Sequence, residues 1–167
     1  RVNSIVERFL KFARPQELNM SHVELFGLLK EIITLLTPQI RKKGLTVKEQ
    51  LTENLYCNVD ADQFKQSIIN IILNGIEATE EGYIEICSEK KENRIYIKVK
   101  DTGCGISEEN KNKIFELYFT TRPEGNGIGL CVAQKIIEQH GGIIELNSAP
   151  GKGTEFTIIL PEDNNEL

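Results

Sequence analysis

The chain contains no tryptophan, one methionine and only two histidines, His22 and His140. Its four cysteines, Cys57, Cys87, Cys104 and Cys131, are widely separated, and no CxxC pair or Cys/His spacing suited to structural zinc exists. No apolar run approaches the roughly 18 residues of a membrane span, and no signal-type segment opens the chain. Free thiols in a reducing compartment are therefore expected rather than a disulfide framework. Basic residues are not in excess either: 20 Lys and Arg against 25 Asp and Glu leave a net charge of -5. That balance disfavours a nucleic-acid backbone or an anionic membrane as the main partner. Internal repeats and low-complexity segments are absent.

What is present fits one soluble domain with a short appendage. The 167 residues are 40% hydrophobic and 27% charged, an ordinary globular balance. Val2, Ile5, Val6, Phe9, Leu10 and Ala13 recur at helical spacing before Pro15 stops them, which predicts the tail of a longer packed helix. A second helical pattern covers Glu24 to Lys43, ahead of Gly44. Leu45–Leu51 and Leu55–Val59 read as two strands around Thr52-Glu53-Asn54, and Asp60 or Asp62 can cap a helix running to Thr79. Tyr83–Ser88 and Arg94–Lys100 form a predicted hairpin near Glu92-Asn93. Short and longer helices follow at 108–118 and 128–140, and strands at 143–147 and 154–160 close the domain. Helices and strands that do not strictly alternate predict an α+β fold with a mostly antiparallel sheet.

Three segments carry chemistry. Gln63, Gln66, Asn70, Asn74 and Glu77 stack on one face of an otherwise apolar helix. Either this face is solvated, or its amide oxygens meet a hard cation or polar ligand such as magnesium. Asp101-Thr-Gly103-Cys-Gly105-Ile106 follows a strand, with two glycines that permit close backbone approach; a capped turn explains it equally well. Gly125-Asn126-Gly127-Ile128-Gly129-Leu130 opens a helix and leaves N–H groups facing any phosphate. The dinucleotide fingerprint, the P-loop and the protein-kinase HRD and DFG signatures are all missing.

In this order the segments resemble the catalytic, ATP-binding domain of two-component sensor histidine kinases, within the gyrase, heat-shock chaperone, kinase and MutL superfamily. Gln66–Ala78 is similar to that family's N box, Asp101–Ile106 to its G1 box, Ile114–Arg122 to its F box and Gly125–Leu130 to its G2 box. Gly151-Lys-Gly-Thr154-Glu-Phe156 is similar to its closing G-x-G-T-x-F element, and the resemblance runs from Ser21 to Pro161. It implies a Bergerat fold: a two-layer α/β sandwich whose mixed, mostly antiparallel sheet is covered by three helices on one face. It further implies Mg-ATP as ligand, with Asn74 on the Mg2+, Asn70 near the phosphates and Asp101 accepting from the adenine amino group. Gly103, Gly105, Ile106, Phe119, Thr120, Thr121, Gly125, Asn126, Gly127, Ile128, Gly129 and Leu130 would surround the nucleotide. Thr154 would hold a water between Asp101 and the base, and Arg122 would clamp phosphate.

Some positions depart from the common pattern. Gly75 replaces an alanine and Ile128 a leucine. Glu77 stands where some relatives carry a phosphate-contacting lysine, so that contact is in doubt, and a helix-surface role for Glu77 competes with a functional one. The hydrolytic glutamate of ATP-hydrolysing cousins would fall at Asn70. Residues 1–15 resemble the end of the second helix of a dimerisation hairpin, 16–161 the catalytic domain, and 162–167 a polar tail. Neither histidine suits a phosphoacceptor: His22 is expected at a strand, and His140 at a helix end where the dipole favours a cation.

The expected activity is transfer of the γ-phosphoryl to a histidine on a hairpin absent from this chain. A nucleotide-gated binding module and an anti-sigma-type serine kinase are the alternatives. Implied partners are that hairpin, a response regulator and an inhibitor protein, with a homodimer in the intact kinase and no nucleic acid. A cytoplasmic domain is implied, and sensing regions upstream of Arg1 leave membrane anchoring of the intact protein open. The lid, about residues 107–126, is expected to order on nucleotide.

Overall fold

The computed structural model describes residues 17–123 and 125–163; the helix expected within residues 1–15 and most of the predicted tail lie outside them. The elements in chain order are β1 (Ser21–Glu24), α1 (Leu25–Lys42), β2 (Thr46–Gln50), β3 (Tyr56–Val59) and α2 (Ala61–Ala78). They continue with β4 (Tyr83–Lys91), β5 (Arg94–Asp101), α3 (Glu108–Lys111), α4 (Gly129–Gln139), β6 (Ile143–Ser148) and β7 (Thr154–Pro161). A five-stranded sheet has the order β2-β4-β5-β7-β6, antiparallel except for the parallel β2–β4 pair. β1 and β3 form a separate antiparallel pair.

Alternation along the strands explains the layering. Ile84 and Ile86 of β4, Ile95, Ile97 and Val99 of β5, and Phe156, Ile158 and Leu160 of β7 are buried on the helix side. Their neighbours Glu85, Lys98, Lys100 and Glu155 point the other way, at the surface. Against the buried face lie Leu29 and Ile32 of α1, Phe64, Ile68 and Ile72 of α2, and Ala133 and Ile137 of α4, in one continuous core. The expected two-layer α/β architecture is what the chain adopts.

Two expectations change. β2 and β3 flank the 52–54 turn without pairing; β2 joins the edge of the large sheet and β3 pairs with β1. The reason is burial: Cys57 and Val59 of β3 are buried in the core, whereas β2 is largely exposed. The helix expected at 108–118 stops at Lys111. Beyond it come short-range turns, Ile114 N–H to Asn110 O at 3.1 Å and Glu116 N–H to Lys113 O at 2.9 Å, before Tyr118 enters the left-handed region with φ of 67°. Asn110 and Asn112 are weak helix formers, which favours that break.

Helix ends are tied across elements. Lys43, beyond α1, places its ammonium on the carbonyls of Ile76 and Glu77 at the C-terminus of α2, where the dipole favours a cation. At the other end of α2, Asp60 Oδ1 accepts from Gln63 N–H at 3.1 Å and Oδ2 from Asn19 N–H at 3.0 Å. The Asp60 N–H donates to His140 Nε2 at 2.9 Å, so His140 carries its proton on Nδ1, which meets Ile136 O at 2.6 Å. His140 is thus a buried, neutral link between α4 and the start of α2, not the dipole-stabilised cation expected. His22 lies on β1, stacked on Tyr56 and 2.9 Å from Asp163.

Burial alone would raise the Asp60 carboxyl, but the N–H donors of Gln63, Asn19 and Asp62 outweigh it and hold the group below the usual aspartate range. A depressed carboxyl contributes stability that is full above its unfolded pKa of about 3.9 and fades as pH falls through the folded value. Asp60→Ala should therefore cost about 1–2 kcal/mol at neutral pH, and Asp60→Asn distinctly less. In urea unfolding the gap between wild type and Asp60→Ala should narrow as pH drops below 4.

Candidate functional site

β5 ends at Asp101, whose register partners are Ile84 and Thr154. Its side chain is only 2% exposed. Oδ1 accepts from Gly103 N–H at 2.8 Å and from Thr154 N–H at 3.2 Å, which fixes the carboxylate plane. No hydrogen bond among the described residues ends on Oδ2, which lies where the absent Cβ of Gly75 leaves room. Burial raises the Asp101 carboxyl above the ordinary range, opposed by those two N–H groups and the Arg122 charge. A Cβ at Gly103 would meet the Ala78 carbonyl oxygen at 2.4 Å, so only glycine lets the turn pass this close to the end of α2. Cys104 N–H donates to the same carbonyl at 3.1 Å.

Ser148, at the end of β6, binds this turn to the start of β7. Its hydroxyl accepts from Ile106 N–H at 2.9 Å, donates to Gly153 O at 2.8 Å, and lies 2.9 Å from Thr154 Oγ1. Ser148 was not among the sequence candidates. Its signal was available in the alternation of β6, where position 148 falls on the inward side that Leu146 also occupies.

The polar stripe of α2 borders an open recess, with Gln66 and Glu77 also exposed to solvent. Gln63, Gln66, Asn70, Asn74 and Glu77 all line a recess of about 630 Å3 between α2, α4 and the 104–130 loop. Asn70 Nδ2 donates to Gly129 O at 3.2 Å and ties α2 to the first turn of α4. Ile128 supplies no side-chain cap to α4, so the N–H groups of that turn are open to a ligand. Asn126 Oδ1 accepts from Ile128 N–H at 3.1 Å and sets the turn, and Tyr118 N–H donates to Gly127 O at 2.9 Å to close the base of the loop.

The structure brings nearly all the candidates together. Asn70, Asn74, Gly105 and Ile106 line the recess, as do Phe119, Thr120, Thr121 and Arg122. So do Gly125, Asn126, Gly127, Ile128, Gly129, Leu130 and Thr154. Asp101 and Gly103 are not among the lining residues; the buried Asp101 meets the recess through Thr154, its strand partner. Cys104, Asn110, Lys135 and Gln139 also line it and were not anticipated; their positions depend on how the loop and α4 fold back. Arg122, the expected phosphate clamp, donates from Nη2 to Asn74 Oδ1 at 3.0 Å and pairs through Nη1 with Glu77 Oε2.

Magnesium favours hard oxygen donors and commonly completes its shell with substrate phosphates. The Asn74 amide oxygen fits that role, since it already accepts from a cation, the guanidinium. No cluster of three or more His, Cys, Asp or Glu side chains able to hold a metal occurs among the described residues, so a metal here would rely on phosphate oxygens as well.

Comparison with known proteins agrees with this geometry. Residues 59–164 match the family described as histidine kinase-, DNA gyrase B-, and HSP90-like ATPase. The sensor protein DegM of Bacillus sp. (strain B21-2) is 34% identical over 168 residues, covering 99% of this chain but 44% of DegM. The nucleotide-free catalytic domain of histidine kinase ThkA superposes with a TM-score of 0.79 at 35% identity, over 86% of this chain and 96% of that one. ThkA in complex with the response regulator protein TrrA gives a TM-score of 0.84 at 32% identity, over all of this chain and 49% of that one. The chain thus spans less than half the length of the curated relatives it matches. With a family match over most of its length and the same catalytic-domain fold, this chain belongs to the histidine kinase-, DNA gyrase B- and HSP90-like ATPase family.

Proposed function

We propose that this chain is the ATP-binding catalytic domain of a sensor histidine kinase and transfers the γ-phosphoryl group of Mg-ATP to a histidine on a separate dimerisation hairpin. One observation carries the reading. A single recess joins amide side chains, the uncapped start of α4 and an arginine, and its Thr154 wall pairs with the buried Asp101 carboxylate, which has one oxygen left for a donor. Asp101 Oδ2 accepts from the exocyclic amine of adenine, where guanine carries a carbonyl acceptor at the same ring position, and Thr154 holds a water beside it. The backbone around Gly125, Gly127 and Gly129 wraps the phosphates at the N-terminus of α4. Asn74 would hold Mg2+ together with phosphate oxygens, and the bound ion would supply charge neutralisation at the phosphates.

The acceptor nitrogen forms the new bond to phosphorus, and ADP leaves with the electrons of the broken bond. The chain's own share is positioning and electrostatics. Asn70, an amide, cannot take a proton from water, which favours transfer over hydrolysis. Residues 1–15 are read as the end of the hairpin's second helix, 16–161 as the catalytic domain. A response regulator receives the phosphoryl group downstream, an inhibitor protein is a further partner, and the intact kinase is a homodimer. No helix among the described residues is long and apolar enough to cross a membrane. A cytoplasmic setting follows from the need for ATP, with any anchoring left to other parts of the intact protein.

Mixing the chain with a separately prepared hairpin and γ-labelled ATP should yield acid-labile phosphohistidine. Tight ATP binding without label on the hairpin would reduce the protein to a binding module, and acid-stable label would point to serine. Asp101→Asn should weaken ATP binding by roughly ten- to over a hundred-fold, about 1.5–3 kcal/mol, as read by calorimetric titration. Because burial raises the Asp101 carboxyl, wild-type affinity should decline on acidification from above the usual aspartate range, and Asp101→Asn should show no such decline. Ser148→Ala leaves the Ile106 N–H and Gly153 carbonyl without their partner. It should lower stability by about 1–3 kcal/mol in urea unfolding and weaken nucleotide binding through the loosened Asp101–Thr154 corner.

A further inference from the structure

Glu77 has no part in the function argued so far, yet it is half of the ion pair that joins the lid to α2. Arg122 Nη1 pairs with Glu77 Oε2, while Nη2 donates to Asn74 Oδ1 at 3.0 Å and to the Asn74 carbonyl at 3.3 Å. Asn74 and Glu77 lie three residues apart, hence on neighbouring turns of one helix face. A guanidinium only donates, so the Asn74 amide turns its oxygen toward it, the orientation a metal also requires. Arginine and metal therefore compete for one atom.

We propose that Glu77 is a positioning residue: it holds Arg122 over Asn74 while no nucleotide is bound, so that Mg-nucleotide must draw the arginine off the helix before the metal reaches its ligand. The inference rests on the ATP reading of the site. Two neutral acceptors on Asn74 would orient the guanidinium loosely; the carboxylate adds charge and fixes which side of the helix the lid returns to. The latch is also built to release. Arg122 is 33% exposed and Glu77 59% exposed, so salt and water screen the pair, and exposed pairs of this kind shift an equilibrium only about two- to fivefold. A triphosphate, carrying several negative charges, outcompetes one carboxylate for the arginine. Once Arg122 leaves, the Glu77 charge stands unpaired beside the phosphates, and a divalent cation is needed to offset it. Metal-free nucleotide consequently meets both a latched lid and a repelling carboxylate.

Glu77 is exposed and its replacement leaves the core intact, so Glu77→Gln tests the idea directly. In nucleotide-free protein, hydrogen exchange at the amides of residues 118–128 should be faster in Glu77→Gln than in wild type, by about two- to fivefold. Glu77→Asp should restore at least part of the protection. In titrations with a non-hydrolysable ATP analogue, Glu77→Gln should bind about three- to tenfold tighter than wild type without metal, where latch and repulsion both act, and about two- to fivefold tighter with Mg2+, where only the latch remains. The metal-free gain should shrink in the Arg122→Gln background, where there is no latch to remove. Unchanged lid exchange, or a gain of the same size with and without Arg122, would overturn the proposal. Failure of the wild type to bind the analogue with Mg2+ would instead overturn the ATP reading, and the exchange comparison, made without nucleotide, would still decide the latch.

Discussion

The Asp101 carboxylate is the point on which the site depends. Its Oδ1 takes N–H groups from both sides of the sheet edge, Gly103 in the turn that leaves β5 and Thr154 at the start of β7. A buried carboxylate is costly unless it is hydrogen-bonded, so the two strands must end in register for the charge to be tolerated. They do, with Asp101 opposite Thr154. The same requirement explains Gly103, whose close pass under Ala78 brings its N–H into range, and Ser148, which holds Gly153 and Thr154 in place from behind. One oxygen spent on structure leaves the other, rigidly held, without a hydrogen bond among the described residues.

The second support is the packing of α2 against α4. Apolar residues of α2 seat it on the sheet, and its polar stripe is thereby turned toward the first turn of α4, where Asn70 reaches the Gly129 carbonyl. Asparagine weakens a helix, and the Lys43 ammonium at one end of α2 and the Asp60 cap at the other offset part of the cost of Asn70 and Asn74. Among the described residues the loop between β5 and α4 contributes two buried apolar side chains, Ile114 and Ile128, and is held by polar contacts such as Tyr118 to Gly127 and Arg122 to Asn74 and Glu77. A rigid base and a weakly held cover are what a site that must admit and release a large anion needs.

Legibility from sequence divides along the same physical line. Period-2 and period-3.6 patterns place β4, β5, β7, α1 and α2 because those elements present one face to a core, and the patterns of Ile84–Ile86, Ile95–Val99 and Phe64–Ile76 record it. The glycine spacing of Asp101, Gly103 and Gly105 marks a tight turn after β5, and only the order of the segments along the chain makes them candidates for a site. Strand pairing was not legible: β2 and β3 are close in sequence and both short, and only the burial of Cys57 and Val59 decides that β3 leaves the main sheet. Arg122 and Glu77 lie too far apart in sequence, across an irregular loop, for any local pattern to pair them. His140 likewise looks like a helix-end cation until Asp60, from another element, fills its second nitrogen.

An acidic chain that binds a polyanion must concentrate favourable potential locally, because its net charge of -5 works against the ligand. Few cations line this recess: Arg122 is engaged by Glu77 and Asn74, and Lys135 lies along α4. The remaining attraction comes from oriented N–H groups at the start of α4 and from whatever metal accompanies the phosphates. Such a site discriminates by geometry: a phosphate chain placed along the 125–130 backbone gains several N–H donors at once, whereas an arbitrary anion gains one or two and still meets Glu77. On the proposed reading, weak overall potential with strong local alignment favours the nucleotide whose base also satisfies Asp101.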